Sequence, residues 1–292
     1  MSELLTRERS LGARILQIAL IILPLAVVAL QWATDTVQWN HLVFEVRKIA
    51  EISIFETRYL YLYLHLFALI PVLALSFDRR VHYYTYWRAL LPALLIVAIF
   101  FWIWDVYKTA VGVWGFNPAH YTFLLLNLPI EEWLFFFTFP FASVFIYECL
   151  NHYFPQDRLA PLEPYLTPAL IVFFFLIGFA YWSHAYTSTT FLLCGGFWLY
   201  HYIYMASEMR SRFYNGLFIG YIPFVLVNGV LTGAFTQAPV VVYNPDEYLG
   251  LRLVSIPLDD FAYNFLLEAM VITLYEYFKK KMGMAGTFAK IR

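Results

Sequence analysis

Eight apolar stretches, each roughly 20 residues long, dominate this chain and restrict how it can fold. A stretch of that length can cross the hydrocarbon core of a bilayer as a helix, whereas a soluble domain has no way to cover so many of them. The chain is 62% hydrophobic and only 13% charged, which agrees with this interpretation. The sequence therefore predicts an all-α, polytopic integral membrane protein with transmembrane helices near 14–33, 57–77, 88–108, 129–148, 165–184, 188–207, 214–236 and 257–278.

The distribution of positive charge predicts the orientation of these spans. With eight spans both termini lie on one side, and the termini and loops of that side hold most of the 19 lysine and arginine residues. By the positive-inside rule, both termini are expected on the cytoplasmic side of the cell membrane. The first span is too long for a signal peptide and lacks a small-x-small cleavage site, so we expect it to be retained.

A pair of adjacent carboxylates occurs twice in a similar setting. Residues 127–133 contain Pro-Ile-Glu131-Glu132-Trp, and residues 255–261 contain Pro-Leu-Asp259-Asp260-Phe, each at the head of an apolar span. An aromatic-Asn-Pro turn precedes each pair and a Tyr-Glu dipeptide follows each, at nearly constant offsets. Asn127 and Ser255 are expected to be the helix N-caps, because both residue types favour that position.

The duplication predicts two tandem repeats of four helices. The first would span residues 1–155 and include the additional N-terminal helix, and the second would span residues 160–292. An even number of spans per repeat gives both repeats the same orientation, so the pseudo-two-fold axis is expected along the membrane normal.

Carboxyl groups inside a membrane segment are candidates for function. Neighbouring residues on a helix point about 100° apart, so one acid of each pair is expected to face a cavity while the other anchors or orients. Asp105 is a third interior carboxylate of the first half, near the same non-cytoplasmic end as the glutamate pair. In a dry site the lack of hydration and the nearby like charges favour the protonated form, so at least one neutral carboxylic acid is expected.

Other kinds of site find little support in the sequence. Two cysteines provide no disulfide framework, and the seven histidines show no repeated spacing that suits a metal site. Glycine-rich phosphate loops do not occur, and a net charge of −1 argues against a nucleic-acid partner. Aromatic residues make up 21% of the chain, and their rings can stabilise a carbocation next to an acid.

Several segments resemble the heterodimeric-type lycopene cyclases, in the form in which the two domains are fused. Residues 76–80, 101–105, 112–118 and 128–136 resemble the first domain, and residues 231–233, 250–263 and 274–276 resemble the second. The resemblance covers roughly residues 57–150 and 165–278. Where the family usually has Glu-Asp in its second motif, this chain has Asp259-Asp260, so the first acid is shorter by one methylene group.

The resemblance implies a redox-neutral, acid-catalysed cyclisation of the linear ψ-ends of lycopene, or of a related carotenoid, within the lipid bilayer. The expected product carries ionone rings of the β type, and neither a cofactor nor a metal ion is expected. Glu131 or Glu132 would be the general acid, Asp259 and Asp260 would be the base or proton-sharing partners, and Asp105 would orient the site. The expected substrate contacts are Trp133, Phe136, Trp104 and Phe261.

Two other classes of function compete with this interpretation. Parallel repeats with buried carboxylates also suit a proton- or ion-coupled membrane transporter, although the apolar interior offers no aqueous path. A carotenoid-binding protein without catalytic activity is a further alternative. The sequence leaves open which carboxylate is acid and which is base, whether one or both ends are cyclised, whether the ring is β, ε or γ, whether the substrate is C40 or C50, and the oligomeric state.

Overall fold

The computed structural model describes residues 46–284 without a break, together with residues 18, 19, 22, 26, 42, 286 and 288. These residues contain seven α-helices: α1 (Leu60–Leu75), α2 (Trp87–Ala110), α3 (Ile130–Tyr153), α4 (Glu163–Ala180), α5 (Ala185–Tyr204), α6 (Ser207–Leu231) and α7 (Leu258–Lys281). The predicted all-α class is confirmed. The predicted span near 14–33 lies outside the described residues apart from four positions.

Four of the described helices are long and apolar enough to cross a membrane, namely α2 with the 3-10 turn that precedes it, α3, α4 and α6. The protein is therefore a membrane protein. Helix α1 is apolar but has 16 residues, and α7 carries several acidic side chains. Each of the seven predicted spans after the first overlaps a described helix. The presence of eight complete spans remains a prediction, and so does the side of the membrane on which the termini lie.

Polar side chains lie inside the helix bundle and apolar ones cover its outer surface. Ile103, Phe67 and Leu176 are each more than 60% exposed, as expected for side chains that face lipid. In contrast, Lys108 and Arg210 are fully buried. Buried charged groups need partners, and the backbone carbonyl of Ala185 accepts a hydrogen bond of 2.8 Å from the Lys108 ammonium group.

A short β-hairpin precedes each acid-bearing helix. Strands β2 (Leu124–Leu125) and β3 (Leu128–Pro129) form the first hairpin, and β5 (Arg252–Leu253) and β6 (Ile256–Pro257) form the second. The turn residues Leu126 and Val254 have left-handed φ values of 57° and 59°. Branched residues rarely adopt this conformation, so its occurrence at both equivalent positions shows that the two halves share one loop architecture.

The prediction of the helix N-caps was wrong. Helices α3 and α7 begin directly after Pro129 and Pro257, because each proline ends a strand and its fixed φ suits the start of a helix. The Asn127 amide instead donates to the backbone carbonyl of Val106, at 2.7 Å. The Ser255 hydroxyl lies 2.8 Å from the hydroxyl oxygen of Thr232. Both side chains therefore attach a hairpin to the end of the preceding helix.

The two halves meet through a pair of equivalent strands. Strand β1 (Trp114–Phe116) pairs antiparallel with β4 (Val241–Tyr243), with Gly115 opposite Val242 at the centre of the ladder. Helix packing follows the same pattern, since α1 packs on α3 as α5 packs on α7, and α6 packs on α3 as α2 packs on α7. The acid-bearing helices thus each contact helices of both halves. Helix α4 packs along α5, and the division into repeats of four helices stays a prediction.

The C-terminal ends of α3 and α7 are joined by crossed hydrogen bonds. The Tyr147 hydroxyl donates to Glu276 at 3.2 Å, and the Tyr275 hydroxyl donates to Glu148 at 2.8 Å. Lys279 lies between the two carboxylates, at 2.8 Å from Glu148 and 3.2 Å from Glu276. This buried network holds the two halves together at the end of the bundle opposite the acid pairs.

Replacing Lys279 with Met is expected to lower the free energy of unfolding by about 3–5 kcal/mol, because two buried carboxylates would lose their cation. Thermal unfolding of the protein in detergent, followed by circular dichroism, measures the effect. Lys280→Met is the matched control, since Lys280 is exposed on the adjacent position. Equal stability of the two variants would contradict the role assigned to Lys279.

Candidate active site

The two acids of each pair have different surroundings. Glu131, the first acid of its pair, accepts hydrogen bonds from the backbone N–H and the hydroxyl of Thr122, at 3.0 and 2.8 Å. Asp259, its counterpart, accepts from the Thr187 hydroxyl at 2.5 Å and from the backbone N–H of Leu249 at 3.2 Å. In both halves the first acid therefore fastens the preceding loop to the first turn of the helix.

The second acid of the first pair meets Asp105 inside the bundle. Glu132 and Asp105 are buried, and their carboxyl groups lie within hydrogen-bonding reach of each other. The Tyr61 hydroxyl donates to Glu132 at 2.5 Å, and the Tyr263 hydroxyl donates to Asp105 at 2.6 Å. Two carboxyl groups so close in an apolar interior favour a state in which one of them is protonated, so we expect the pair to share a proton.

The second acid of the other pair is surrounded by donors. Asp260 accepts hydrogen bonds from the Tyr186 hydroxyl at 2.7 Å, from the Asn228 amide at 2.7 Å and from the Tyr243 hydroxyl at 2.8 Å. Burial, and next the charge of Asp260, raises the pKa of Tyr243 well above its usual value, so this phenol remains a donor. Three hydrogen bonds accepted at two oxygens are the pattern of an ionised carboxylate.

The charge of Arg252 acts on Asp260 and favours its ionised form. The Arg252 guanidinium group packs over the rings of Tyr243 and Tyr248 and forms no direct ion pair with Asp260 among the contacts of the described residues. Nor does the described part of the chain contain a group of three His, Cys, Asp or Glu side chains arranged to hold a metal ion. The expectation of a site without metal or cofactor stays a prediction.

Glu132, Asp105 and Asp260 line one cavity. The ladder between β1 and β4 forms part of its wall, so residues from both halves meet there. Most other lining residues are aromatic: Tyr61, Trp114, Phe116, Phe135, Tyr186, Phe224, Tyr243 and Tyr263. The lining is thus mainly aromatic, and carboxyl groups from each half face the same space.

A second cavity adjoins the first and lies between α1, α3, α6 and α7. The two cavities share five lining residues: Phe135, Phe224, Asn228, Leu231 and Asn264. The outer wall includes Phe67, which is 63% exposed, and the exposed prolines Pro71 and Pro223. We call the combined space the channel. It runs from the lipid-facing surface between α1 and α6 to the carboxyl groups, over about 18 Å between Asp260 and Ile272 on α7.

The channel lies between the two halves, and the region that the repeat relates to it is packed differently. A side chain added at Gly220 on α6 would meet nothing within 4 Å, because this glycine borders open space. The equivalent region near α2 is filled by stacked rings, with the Phe101 centroid 5.7 Å from Trp104 and 5.4 Å from Phe136. The repeats therefore share their backbone plan but differ in packing.

The predicted site residues are brought together only in part. Glu132, Asp260 and Asp105 line the cavity, whereas Glu131 and Asp259 lie behind it and hold loops. The roles assigned to these five residues stay predictions.

The four predicted substrate contacts do not line the channel. Trp133 packs on Trp102, at 5.0 Å between centroids, and donates to the backbone carbonyl of Leu125. Phe261 packs on Phe224, at 5.1 Å. Trp104 and Phe136 belong to the filled region described above. Contact of these four rings with a substrate stays a prediction that the cavity geometry does not support.

Helical spacing explains which aromatic residues face the cavity. Phe135 and Tyr263 follow Glu132 and Asp260 by three positions and so share their faces, while Trp133 and Phe261 follow by one position and point about 100° away. The sequence contained this signal. In contrast, Tyr61 and Tyr186 come from distant helices, and no local pattern identifies them.

Comparison with protein families gives one match. A family model described as lycopene cyclase matches residues 58–150 and 183–278, which together make up more than half of the chain. Each matched segment contains three helices, a hairpin and an acid pair, and α4 lies between the segments because the second begins at 183 rather than near 165. No characterised protein and no solved structure shows a significant match. The chain belongs to the lycopene cyclase family, whose members cyclise carotenoids.

Proposed function

We propose that this protein cyclises the linear ψ-ends of lycopene, or of a related carotenoid, by acid–base chemistry within the membrane. The observation that carries the proposal is the buried pair of Asp105 and Glu132, whose carboxyl groups lie close together and line the same cavity as Asp260. Cyclisation needs an acid that protonates an alkene, a base and a site with little water. The Asp105–Glu132 pair is the proposed source of the acid, Asp260 is the proposed base, and the mainly aromatic lining of the cavity is proposed to limit the access of water.

Glu132 is the proposed general acid. Its proton goes to the terminal double bond of the polyene, the new C–H bond forms, and a tertiary cation is left on the neighbouring carbon. Loss of the shared proton leaves both carboxyl groups ionised, and the hydrogen bonds from Tyr61 to Glu132 and from Tyr263 to Asp105 stabilise the two carboxylates until the proton returns. Tyr263 in turn holds Asp105.

Ring closure then needs no further reagent, but it needs groups that stabilise a carbocation. The next double bond attacks the cation, a carbon–carbon bond closes the six-membered ring, and the charge moves to a ring carbon. The rings of Trp114, Phe135 and Phe224 line the cavity and can stabilise a cation through their faces. Because this lining limits the access of water, we expect that water does not intercept the cation.

Asp260 is the proposed base. Removal of a proton from the ring carbon that joins the polyene forms the double bond of the β-ring. The proton that Asp260 gains equals the one that Glu132 lost, so the reaction is neutral in charge and in oxidation state. Both groups line one cavity, which allows the proton to return to the Asp105–Glu132 pair between turnovers.

A proton- or ion-coupled transporter remains the competing proposal. It would need a polar path from each side of the membrane to the carboxyl groups. The channel that reaches them is lined mainly by apolar and aromatic side chains and opens toward lipid, which favours a hydrocarbon substrate.

Expression of the full chain in lycopene-accumulating bacteria is expected to convert lycopene to cyclic carotenoids, identified by chromatography against standards. Glu132→Gln is expected to lower the cyclisation rate about 100-fold or more, because an amide cannot supply the proton. Glu131→Gln is the matched control and keeps most of the activity, since its carbonyl oxygen still accepts from Thr122. Unchanged lycopene with the folded wild-type protein, or equal loss in both variants, would contradict the proposal.

Gly220→Phe tests whether the channel holds the substrate. The new ring has open space to occupy, so the variant is expected to fold normally while kcat/KM for lycopene falls about tenfold or more through obstruction. Leu226→Phe is the control, because Leu226 is 56% exposed on the outer face of the same helix. Normal cyclisation by a stable Gly220→Phe variant would place the substrate elsewhere.

A further inference from the structure

Glu268 is a buried carboxyl group that the proposed reaction does not use. It lies on α7, two turns or about 12 Å beyond Asp260, and only 3% of it is exposed. Its side chain lines the outer part of the channel. Neither carboxyl oxygen has a partner with hydrogen-bond geometry in the described part of the protein, although the Ser143 hydroxyl lies close enough to interact with the carboxyl group.

The position of Glu268 forms part of a polar stripe. Asp260, Asn264 and Glu268 are spaced by four residues and therefore lie on one face of α7. Asn264 lines both parts of the channel, and Ser143 on α3 lines the same part as Glu268. Apart from Asn228, which donates to Asp260, the other residues that line this outer cavity are apolar or aromatic, and we call the three polar side chains the Glu268 patch (Ser143, Asn264 and Glu268).

The duplicated architecture does not account for the Glu268 patch. At the offset of 128 that relates the acid pairs, the counterparts of Asn264 and Glu268 on α3 are Phe136 and Pro140. Neither counterpart is polar. The polar stripe is thus present on α7 and not on its counterpart α3.

A carboxyl group with no partner is costly in an apolar interior, and buried polar groups are generally hydrogen-bonded. With no cation beside it among the described residues, Glu268 is best matched by a neutral partner that both donates and accepts. A hydroxyl group has this property, and the hydroxyl of Ser143 and the amide of Asn264 offer it further hydrogen bonds. The rest of such a ligand is expected to be mainly apolar, since most of the channel lining between Glu268 and the proposed catalytic carboxyl groups is apolar or aromatic, with Asn228 and Asn264 among the polar exceptions.

We propose that the Glu268 patch binds the hydroxyl group of an isoprenoid alcohol whose terminal alkene lies at the Asp105–Glu132 pair. This inference rests on the proposed function for the position of the alkene end. It extends the ligands of the channel from hydrocarbon polyenes to ψ-ended chains that carry an alcohol about two helical turns from the reacting end.

Direct binding separates this inference from the cyclisation itself. Farnesol, and farnesene as the hydrocarbon without the hydroxyl group, are titrated into the full-length protein in detergent micelles, and binding is followed by tryptophan fluorescence. The wild-type protein is expected to bind farnesol about tenfold or more tightly than farnesene, because one hydrogen-bonded hydroxyl is gained. Glu268→Leu is expected to abolish this preference without weakening farnesene binding, whereas Glu268→Gln keeps part of it.

Equal affinity of the wild-type protein for the two ligands, as expected if a resident water satisfies Glu268, would overturn the inference. An unchanged preference in Glu268→Leu would also overturn it. Leucine removes an unsatisfied buried group, so this variant is expected to fold, and thermal unfolding checks that it does. Because binding is measured without turnover, a preference for farnesol that depends on Glu268 would support the inference even if lycopene were not cyclised. Absence of that preference would overturn the inference without contradicting the proposed cyclisation.

Discussion

The close approach of the Asp105 and Glu132 carboxyl groups inside the bundle is the constraint on which the proposed chemistry depends. In an apolar interior such a pair is favourable when its two members share a proton and accept hydrogen bonds from nearby donors. The tyrosine donors Tyr61 and Tyr263 satisfy them from other helices. The first acids of the pairs meet a different need, since they fasten the loops that close the end of the bundle above the cavity.

Duplication explains how acid and base come to share one cavity. The β1–β4 ladder and the crossed packing of α3 and α7 bring the second acids of both repeats to the interface between the halves. The surroundings of these two acids differ: Glu132 faces another carboxyl group, whereas Asp260 accepts hydrogen bonds from three donors. Packing diverged as well, with stacked rings on one side and the channel beside Gly220 on the other.

Much of this arrangement follows from the sequence, and the remainder depends on contacts between distant segments. Apolar length predicted the helices, and the duplicated motif predicted that only one acid of each pair faces inward. The prediction of the helix N-caps failed because the strands continue up to Pro129 and Pro257. Asn127 and Ser255 therefore precede the end of each strand and do not cap the helix that follows. The sequence shows Glu268 as a single acidic residue within an apolar span. Only the structure shows that its carboxyl group lines the channel without a partner in hydrogen-bond geometry.

Infrared spectroscopy of the protein in lipid at neutral pH tests the central claim most directly. A protonated carboxyl group has a C=O stretching band that an ionised carboxylate lacks. We predict such a band in the wild-type protein that is lost in Glu132→Gln and shifted in Asp105→Asn, because the two groups share one proton. Spectra in which neither substitution changes a protonated carboxyl band would show that the pair holds no proton to deliver, and would contradict the account.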